Sequence, residues 1–198
     1  MIKQEMLKGY VCVYGASQNG VPQHFVDDAR ELGRLLAQNG WGCVNGAGCD
    51  GLMRAVSDGV LDHGGEAVGV IPRFMVDNGW HYDRLTRIVV TPTMHERKEK
   101  MNAMTQAAIA LPGGCGTLEE LLEIITWRQL GIAPKPVILL NTHDYYAHLL
   151  AMLERAMTDG FMKPSHRRLW QVATTPLQAI EMLHHELAAP APAIESKY

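Results

Sequence analysis

The chain has 198 residues, 47% of them hydrophobic, and a formal net charge of −3 at pH 7, so one globular domain with a sizeable core is expected. Nothing in the charge pattern forms a basic stripe, which argues against a nucleic-acid polymer as partner. Cys12, Cys43, Cys49 and Cys115 form no CxxC pair, the opening "MIKQEMLKGY" lacks a signal-peptide core, and no run approaches the roughly 18–20 apolar residues of a membrane helix. Reduced thiols, a cytoplasmic location and no membrane partner are the expectation.

Short apolar runs then alternate with longer amphipathic ones. "YVCVYG" (10–15) reads as the first strand, and the helix over 23–38 sets Phe25, Ala29, Leu32 and Leu36 at spacings of three and four before Asn-Gly at 39–40 ends it. "WGCVNG" (41–46) and a helix near 50–62 come next, followed by strands in "EAVGVIP" (66–72) and "RIVVT" (87–91). A helix near 94–106 leads to "AAIALPGG" (107–114), and another helix starts at Thr117. "PVILLN" (136–141), a helix near 144–158, "LWQVA" (169–173) and a helix near 176–188 complete the order. Continuous rather than alternating apolar runs, separated by helices, belong to a parallel sheet covered on both faces. With right-handed crossovers this predicts an α/β, Rossmann-like, doubly wound parallel sheet of about seven strands with helices on both faces. Residues 1–187 read as one domain without repeat or linker, and the small, Pro-rich stretch 188–198 as a disordered tail.

Such sheets bind ligands outside the carboxyl ends of their strands. Three glycine clusters fall there: "YGAS" (14–17), "NGAGCDG" (45–51) and "PGGCGT" (112–117). One cluster alone reads as a turn; three after successive strands point to backbone amides gathered around an anion. None matches G-x-x-x-x-G-K-[ST], and "GAGCDG" fits the dinucleotide pattern only loosely, with no clear ribose-binding acid at the required spacing. A mononucleotide or a sugar phosphate fits better.

Thr93-x-x-Glu96 and Thr117-x-x-Glu120 both have the form of capping boxes, which gives Glu120 a purely structural reading. Yet Arg97, Lys98 and Lys100 follow one strand while Glu119 and Glu120 follow the next. In a parallel sheet the cations, the carboxylates and the glycine loop then share one edge. The histidines form no HExxH pair, and neither a metal nor a cofactor is expected. A pyridoxal-phosphate decarboxylase needs a Schiff-base lysine and a substantial substrate domain, for which this length leaves little room.

"MHERK" (94–98) together with "PGGCGTLEE" (112–120) resembles the paired signature of the LOG (Lonely Guy) family, cytokinin riboside 5′-monophosphate phosphoribohydrolases often labelled lysine decarboxylases. The likeness runs from about Tyr10 to about Leu187 and takes in "GLM" (51–53), "GVIP" (69–72) and "TWRQLGI" (126–132). The resemblance implies Arg97 and Glu120 as the catalytic pair, with Lys98 and Glu119 beside them. It implies Gly113, Gly114, Gly116 and Thr117 as the phosphate loop, and Ser17, Gly46, Met94 and Thr126 as further substrate contacts. The implied substrate is a nucleoside 5′-monophosphate, AMP or an N6-modified relative, hydrolysed to free base and ribose 5-phosphate. An anion cradle beside two glutamates then makes physical sense. The substrate is anionic at its phosphate, and its ribose becomes cationic at C1′ in an oxocarbenium-like transition state.

The resemblance also implies a homodimer or higher homo-oligomer. The helix from Thr117 agrees, being apolar on more than one side through Leu118, Leu121, Leu122, Ile124, Ile125 and Trp127. Met94, Met101 and Met104 add soft apolar surface, and Arg128 is expected at or near the interface. Three departures bear on base and ribose selectivity. Relatives commonly carry Tyr-Gly-Gly-Gly where this chain has Asn45-Gly46-Ala47-Gly48, a glycine at Arg54, and a ligand-contacting glutamate at Gly79, near which Asp77 and Asp83 are the available acids. The alternative reading is a non-catalytic nucleotide-binding or molybdenum-cofactor carrier-like module, which needs the glycines but not Glu120.

Overall fold

The computed structural model describes residues 7–188; the tail expected at 188–198 lies, but for Ala188, outside them. Seven strands, β1 (Gly9–Tyr14), β2 (Trp41–Asn45), β3 (Ala67–Pro72), β4 (Arg87–Thr91), β5 (Ala107–Ala110), β6 (Val137–Leu140) and β7 (Gln171–Ala173), form one sheet in the order β4-β3-β2-β1-β5-β6-β7. Every neighbouring pair is parallel. The helices are α1 (Gln23–Gln38), α2 (Gly51–Leu61), α3 (Arg73–Asp77), α4 (Met94–Ala103), α5 (Cys115–Gln129), α6 (Ala147–Thr158) and α7 (Pro176–Ala188).

The pleat explains the continuous apolar runs. Val11, Val13, Cys43, Ile138 and Leu140 point to one face, where α1, α2 and α7 cover them through Leu32, Leu36, Val56 and Leu183. Cys12, Tyr14, Val44, Val137 and Leu139 point to the other, under Met101 of α4, Leu121, Ile124 and Ile125 of α5 and Leu153 of α6. A strand buried on both faces has no position left for a polar alternation. The fold is therefore the doubly wound α/β sheet that the patterning predicts.

Chain order reverses between β1 and β5, which lie side by side with Tyr14 opposite Ala110. That is the switch point, where the loops after the two strands diverge and leave a crevice. The glycine clusters after β1 and β5 flank it directly.

Element ends differ from the sequence reading in instructive places. The strand that begins at Ala107 stops at Ala110 rather than running to 114, because the Pro112 carbonyl turns aside to accept from Ala16 N (3.1 Å). The helix expected at Thr117 starts two residues earlier, at Cys115. α6 starts at Ala147 rather than near 144, since His143 and Asp144 both take positive φ, 54° and 55°. Residues Pro164–Leu169 form a 3₁₀ turn, which shortens the last strand to Gln171–Ala173. The five-residue α3 has no apolar stripe to announce it and was not anticipated.

Candidate active site

The three glycine clusters are stitched into one surface by backbone hydrogen bonds. Leu52 N and Met53 N, at the start of α2, donate to the Ala16 carbonyl (2.8 and 3.1 Å), while Leu111 N donates to the Tyr14 carbonyl (2.8 Å). Gly51 makes this approach possible: its φ is +60°, and a Cβ there would press to 2.7 Å on both the Ala16 and Gln18 carbonyl oxygens. Ser17 is exposed on this rim, its Cβ 3.0 Å from where a Cβ on Gly48 would stand.

Arg97 and Glu120 meet beneath that surface. Thr93 caps α4, its hydroxyl accepting from Glu96 N (3.2 Å), as the capping-box spacing predicts. One turn on, Arg97 is carried inward, where its Nε donates to the Val70 carbonyl within β3 (3.0 Å). Its Nη1 lies 3.1 Å from Glu120 Oε1, and both side chains are 6% exposed. Gly46 lets the guanidinium lie there, because a Cβ at that position would overlap Arg97 Nη2 outright. Burial pushes the Glu120 carboxyl above its ordinary value, with the Arg97 charge opposing and Glu119 adding to the rise. The result is a carboxylate stripped of water on most sides, held by one cation, and facing a small hollow lined by Tyr14, Lys98, Glu123, Ile124 and Trp127.

Lys98 stands beside this pair, its ammonium bonded to Glu119 and to Glu123 (2.9 Å). Burial works to lower its pKa, and the two carboxylates outweigh that and hold it above the usual lysine value. Glu123, which the sequence reading gives no role, thus holds Lys98 and lines the hollow beside Glu120. The signal was present, since Glu119 and Glu123 are spaced i, i+4 and so share one helix face. Tyr14 is buried beside Glu120, its phenol pushed well above the ordinary range by desolvation; the sequence reading includes it in the first glycine cluster but gives its side chain no role.

The residues expected to form the phosphate loop lie together around the N-terminus of α5. Gly114 is the N-cap and contributes no side-chain capping bond, so the first amides of the helix keep their donor capacity for something else. Thr117 is 4% exposed and packs against Gly113, where any Cβ would overlap its side chain. Gly114, Cys115 and Gly116 are exposed, and a Cβ on Gly114 or Gly116 would meet nothing within 4 Å. The expected Thr117–Glu120 capping box does not form. Thr117 is already the third residue of the helix, and Glu120 faces Arg97 instead of turning back on the N-cap.

Not every expected residue joins this arrangement. Met94 is 42% exposed at the first turn of α4. Thr126 is exposed, its hydroxyl turned back onto the Leu122 carbonyl (2.8 Å), about 13 Å along the helix from Thr117 at 1.5 Å per residue. Within one chain it stands apart from the crevice. Arg128, expected at an interface, is instead buried inside the subunit, donating to the Leu169 carbonyl (3.2 Å) and pairing with Glu186 (3.4 Å). Met101, expected to add interface surface, is 1% exposed and belongs to the core.

The departures divide by burial. Asn45 and Ala47 lie beneath the surface, Asn45 bonded to Ser57 Oγ (2.9 Å) and accepting from Ala47 N (2.9 Å). Arg54, Asp77, Gly79 and Asp83 are exposed. Arg54 lies over the Tyr82 ring at 5.3 Å and pairs at 3.6 Å with Asp58, the buried carboxylate that Tyr82 and Arg84 also engage.

A doubly wound sheet whose switch point carries an uncapped, glycine-flanked helix N-terminus beside a buried Arg–Glu pair has the layout in which α/β proteins hold anionic ligands. Comparison with known proteins narrows this. The family model described as "possible lysine decarboxylase" matches residues 53–183. The cytokinin riboside 5′-monophosphate phosphoribohydrolase LOG5 of Arabidopsis thaliana is 41% identical over 87% of this chain and 76% of its own. A probable enzyme of the same name from Oryza sativa subsp. japonica is 42% identical over 87% and 71%. The chain belongs to this LOG family, the one carried under the lysine-decarboxylase description. Among solved structures, the molybdenum cofactor binding protein from Rippkaea orientalis superposes with a TM-score of 0.71 over 91% of this chain and 98% of its own, at 24% identity. That likeness is one of fold.

Proposed function

We propose that the protein hydrolyses the N-glycosidic bond of adenosine 5′-monophosphates, including N6-modified ones, to the free base and ribose 5-phosphate. The observation that carries this reading is the buried Arg97–Glu120 pair set beside the open N-terminus of α5. The amides of Gly114, Cys115 and Gly116 would take the 5′-phosphate, which anchors the ribose with C1′ toward Glu120. As the C1′–N bond breaks, its electron pair leaves with the base, which gains a proton from solvent. The sugar becomes oxocarbenium-like, and the Glu120 carboxylate stabilises that charge. Water adds its oxygen to C1′ and gives up a proton to Glu120. Arg97 opposes the rise that burial imposes on Glu120 and aims its carboxylate; Lys98 ties down Glu119 and Glu123 beside it. A carrier of a bound cofactor needs the glycines but has no use for a desolvated carboxylate held by an arginine, so the molybdenum-cofactor alternative is not favoured.

The test is release of base from AMP and from N6-isopentenyladenosine 5′-monophosphate, followed by chromatography. Glu120→Gln should bind nucleotide within a few-fold of wild type and lose at least ~100-fold in turnover, the scale of a lost acid–base group. A near-normal rate in that variant would sink the assignment.

Assembly is part of the proposal. Val90, Met94, Leu122, Leu130 and Ile132 are exposed large apolar side chains on β4, α4, α5 and the residues that follow α5. We infer that a second copy covers them, bringing Thr126 toward a neighbour's ligand. Light scattering at micromolar concentration should give at least twice 21.9 kDa.

A further inference from the structure

The sequence reading places Tyr145 and Tyr146 in the helix near 144–158 and gives them no role; they lie instead between β6 and α6. Their hydroxyls reach the phosphate loop two residues apart: Tyr146 donates to the Leu111 carbonyl (2.5 Å) and Tyr145 to the Gly113 carbonyl (2.6 Å). Between them the Pro112 carbonyl accepts from Ala16 N (3.1 Å), and beyond them the Gly114 carbonyl accepts from Leu118 N (3.0 Å). Four consecutive carbonyls are therefore held. In a trans peptide the carbonyl and the following N–H point in opposite directions. Fixing the Gly113 oxygen on Tyr145 thus aims the Gly114 N–H away from Tyr145, and a Cβ on Gly114 would meet no protein atom within 4 Å.

The chain spends backbone strain to place this pair. His143 and Asp144, immediately before it, both have positive φ, which non-glycine residues rarely adopt. The Asn141 side chain holds the far end, its Oδ1 accepting from Tyr146 N (2.6 Å). The Tyr145 ring is wedged edge-on between Phe25, at 5.6 Å, and Tyr146, at 5.1 Å. Consecutive residues in such a turn need not converge on one loop; here both do. Tyr146 is 1% exposed and serves the core as well, whereas Tyr145 is 42% exposed, so its hydroxyl bond is the separable one.

We propose that Tyr145 is a positioning residue for phosphate: it locks the Gly113–Gly114 peptide so that the Gly114 amide is presented to the 5′-phosphate before the ligand arrives. This rests on the nucleotide reading of the site. Tyr145→Phe keeps the ring and removes only the hydroxyl. Its melting temperature should stay within a few degrees of wild type. Its KM for AMP should rise about fivefold to tenfold, the scale of one lost hydrogen bond, with kcat changed less than about twofold. Binding of ribose 5-phosphate by calorimetry, which needs no turnover, should weaken by the same factor. Unchanged ribose 5-phosphate affinity in Tyr145→Phe, beside a wild type that binds it, would overturn the proposal and leave the nucleotide reading standing. A loss confined to kcat would overturn it too. A wild type that binds neither ribose 5-phosphate nor AMP would overturn both readings together.

Discussion

At Gly46 an added Cβ would overlap the Arg97 guanidinium, and at Gly113 it would overlap Thr117, whereas at Gly114 and Gly116 it would touch no protein atom within 4 Å. The turn over 45–48 and the turn over 113–116 look alike in sequence, since each is a glycine run after a parallel strand. They solve opposite problems. The first uses its glycine to let the protein fill its own crevice with a buried cation. The second uses Gly113 to bring helix and loop together and then leaves the outer positions bare. Absence of a side chain is a packing device in one and an opening for a ligand in the other.

The largest effect should come from filling the first. In Gly46→Ala the methyl displaces Arg97 Nη2, and the guanidinium cannot retreat without losing the Val70 carbonyl or Glu120. An uncompensated buried charge costs about 3 kcal/mol, which for a chain of this size lowers the melting temperature by roughly 6–12 °C. Base release from AMP should fall at least ~100-fold, because Glu120 loses its partner. Normal kinetics in Gly46→Ala would show that the Arg97–Glu120 contact is incidental.

Filling the second should separate stability from binding. Alanine at Gly116, in the first turn of α5, gains about 0.5–1 kcal/mol of helix propensity, so the melting temperature should rise by roughly 1–4 °C. The same methyl narrows the space over the helix N-terminus, and KM for AMP should increase several-fold. A Gly116→Ala protein with wild-type KM would mean that the bare position is not where the phosphate sits.

How much of this was legible in the sequence follows the same division. Strand and helix order could be read because β2 and β6 are buried on both faces and read as unbroken apolar runs. That the cations and the carboxylates share one end of the sheet could be read from parallel strands; their pairing could not, because three strands stand between β4 and β5 and Arg97 reaches Glu120 only from over β3, where it bonds the Val70 carbonyl. The start of α5 could not be read correctly: Thr117-x-x-Glu120 has a capping-box spelling, and only the Gly113–Thr117 contact shows that the helix has already begun. Arg128 and Met101 misled for a related reason, since nothing in helical spacing alone says which of two apolar sides faces the sheet. The tyrosine pair was invisible because its placement depends on two strained residues, His143 and Asp144, that carry no glycine to mark the turn.

The pH profile probes the buried pair with a smaller effect. Burial raises the Glu120 carboxyl above 4.5, with Arg97 opposing. A carboxyl raised on folding contributes stability that is full below about 4.5 and is lost as pH climbs through the folded value. Catalysis needs the ionised form, so kcat/KM should rise with pH through that same value, and its acid limb should lie above 4.5. Glu119→Gln removes a neighbouring negative charge that pushes in the same direction, so the limb should move down. A limb that moves up, or stays fixed when Glu119 is neutralised, would assign it to another group.

The smallest effect should be at Ala47, the departure inside the first turn. Its φ of +63° places an alanine where glycine is at ease, at a cost of about 1 kcal/mol. The turn is held from both sides, by Ala47 N donating to Asn45 Oδ1 (2.9 Å) and by Tyr82 N donating to the Ala47 carbonyl (3.0 Å). Ala47→Gly relieves the strain. Against that it removes a wholly buried methyl that occupies the space beside Gly69, about 0.8 kcal/mol, and gives the unfolded chain about 0.4–1 kcal/mol of freedom. The terms cancel to within about 1 kcal/mol, so the melting temperature should move by no more than roughly 4 °C. Because Ala47 has no exposed surface, the rate ratio between AMP and N6-isopentenyladenosine 5′-monophosphate should not change. Restoring glycine at Arg54 or glutamate at Gly79, both exposed, should change that ratio. If Ala47→Gly alone shifts it, the turn sets base preference through its backbone, and burial is the wrong criterion for sorting the departures.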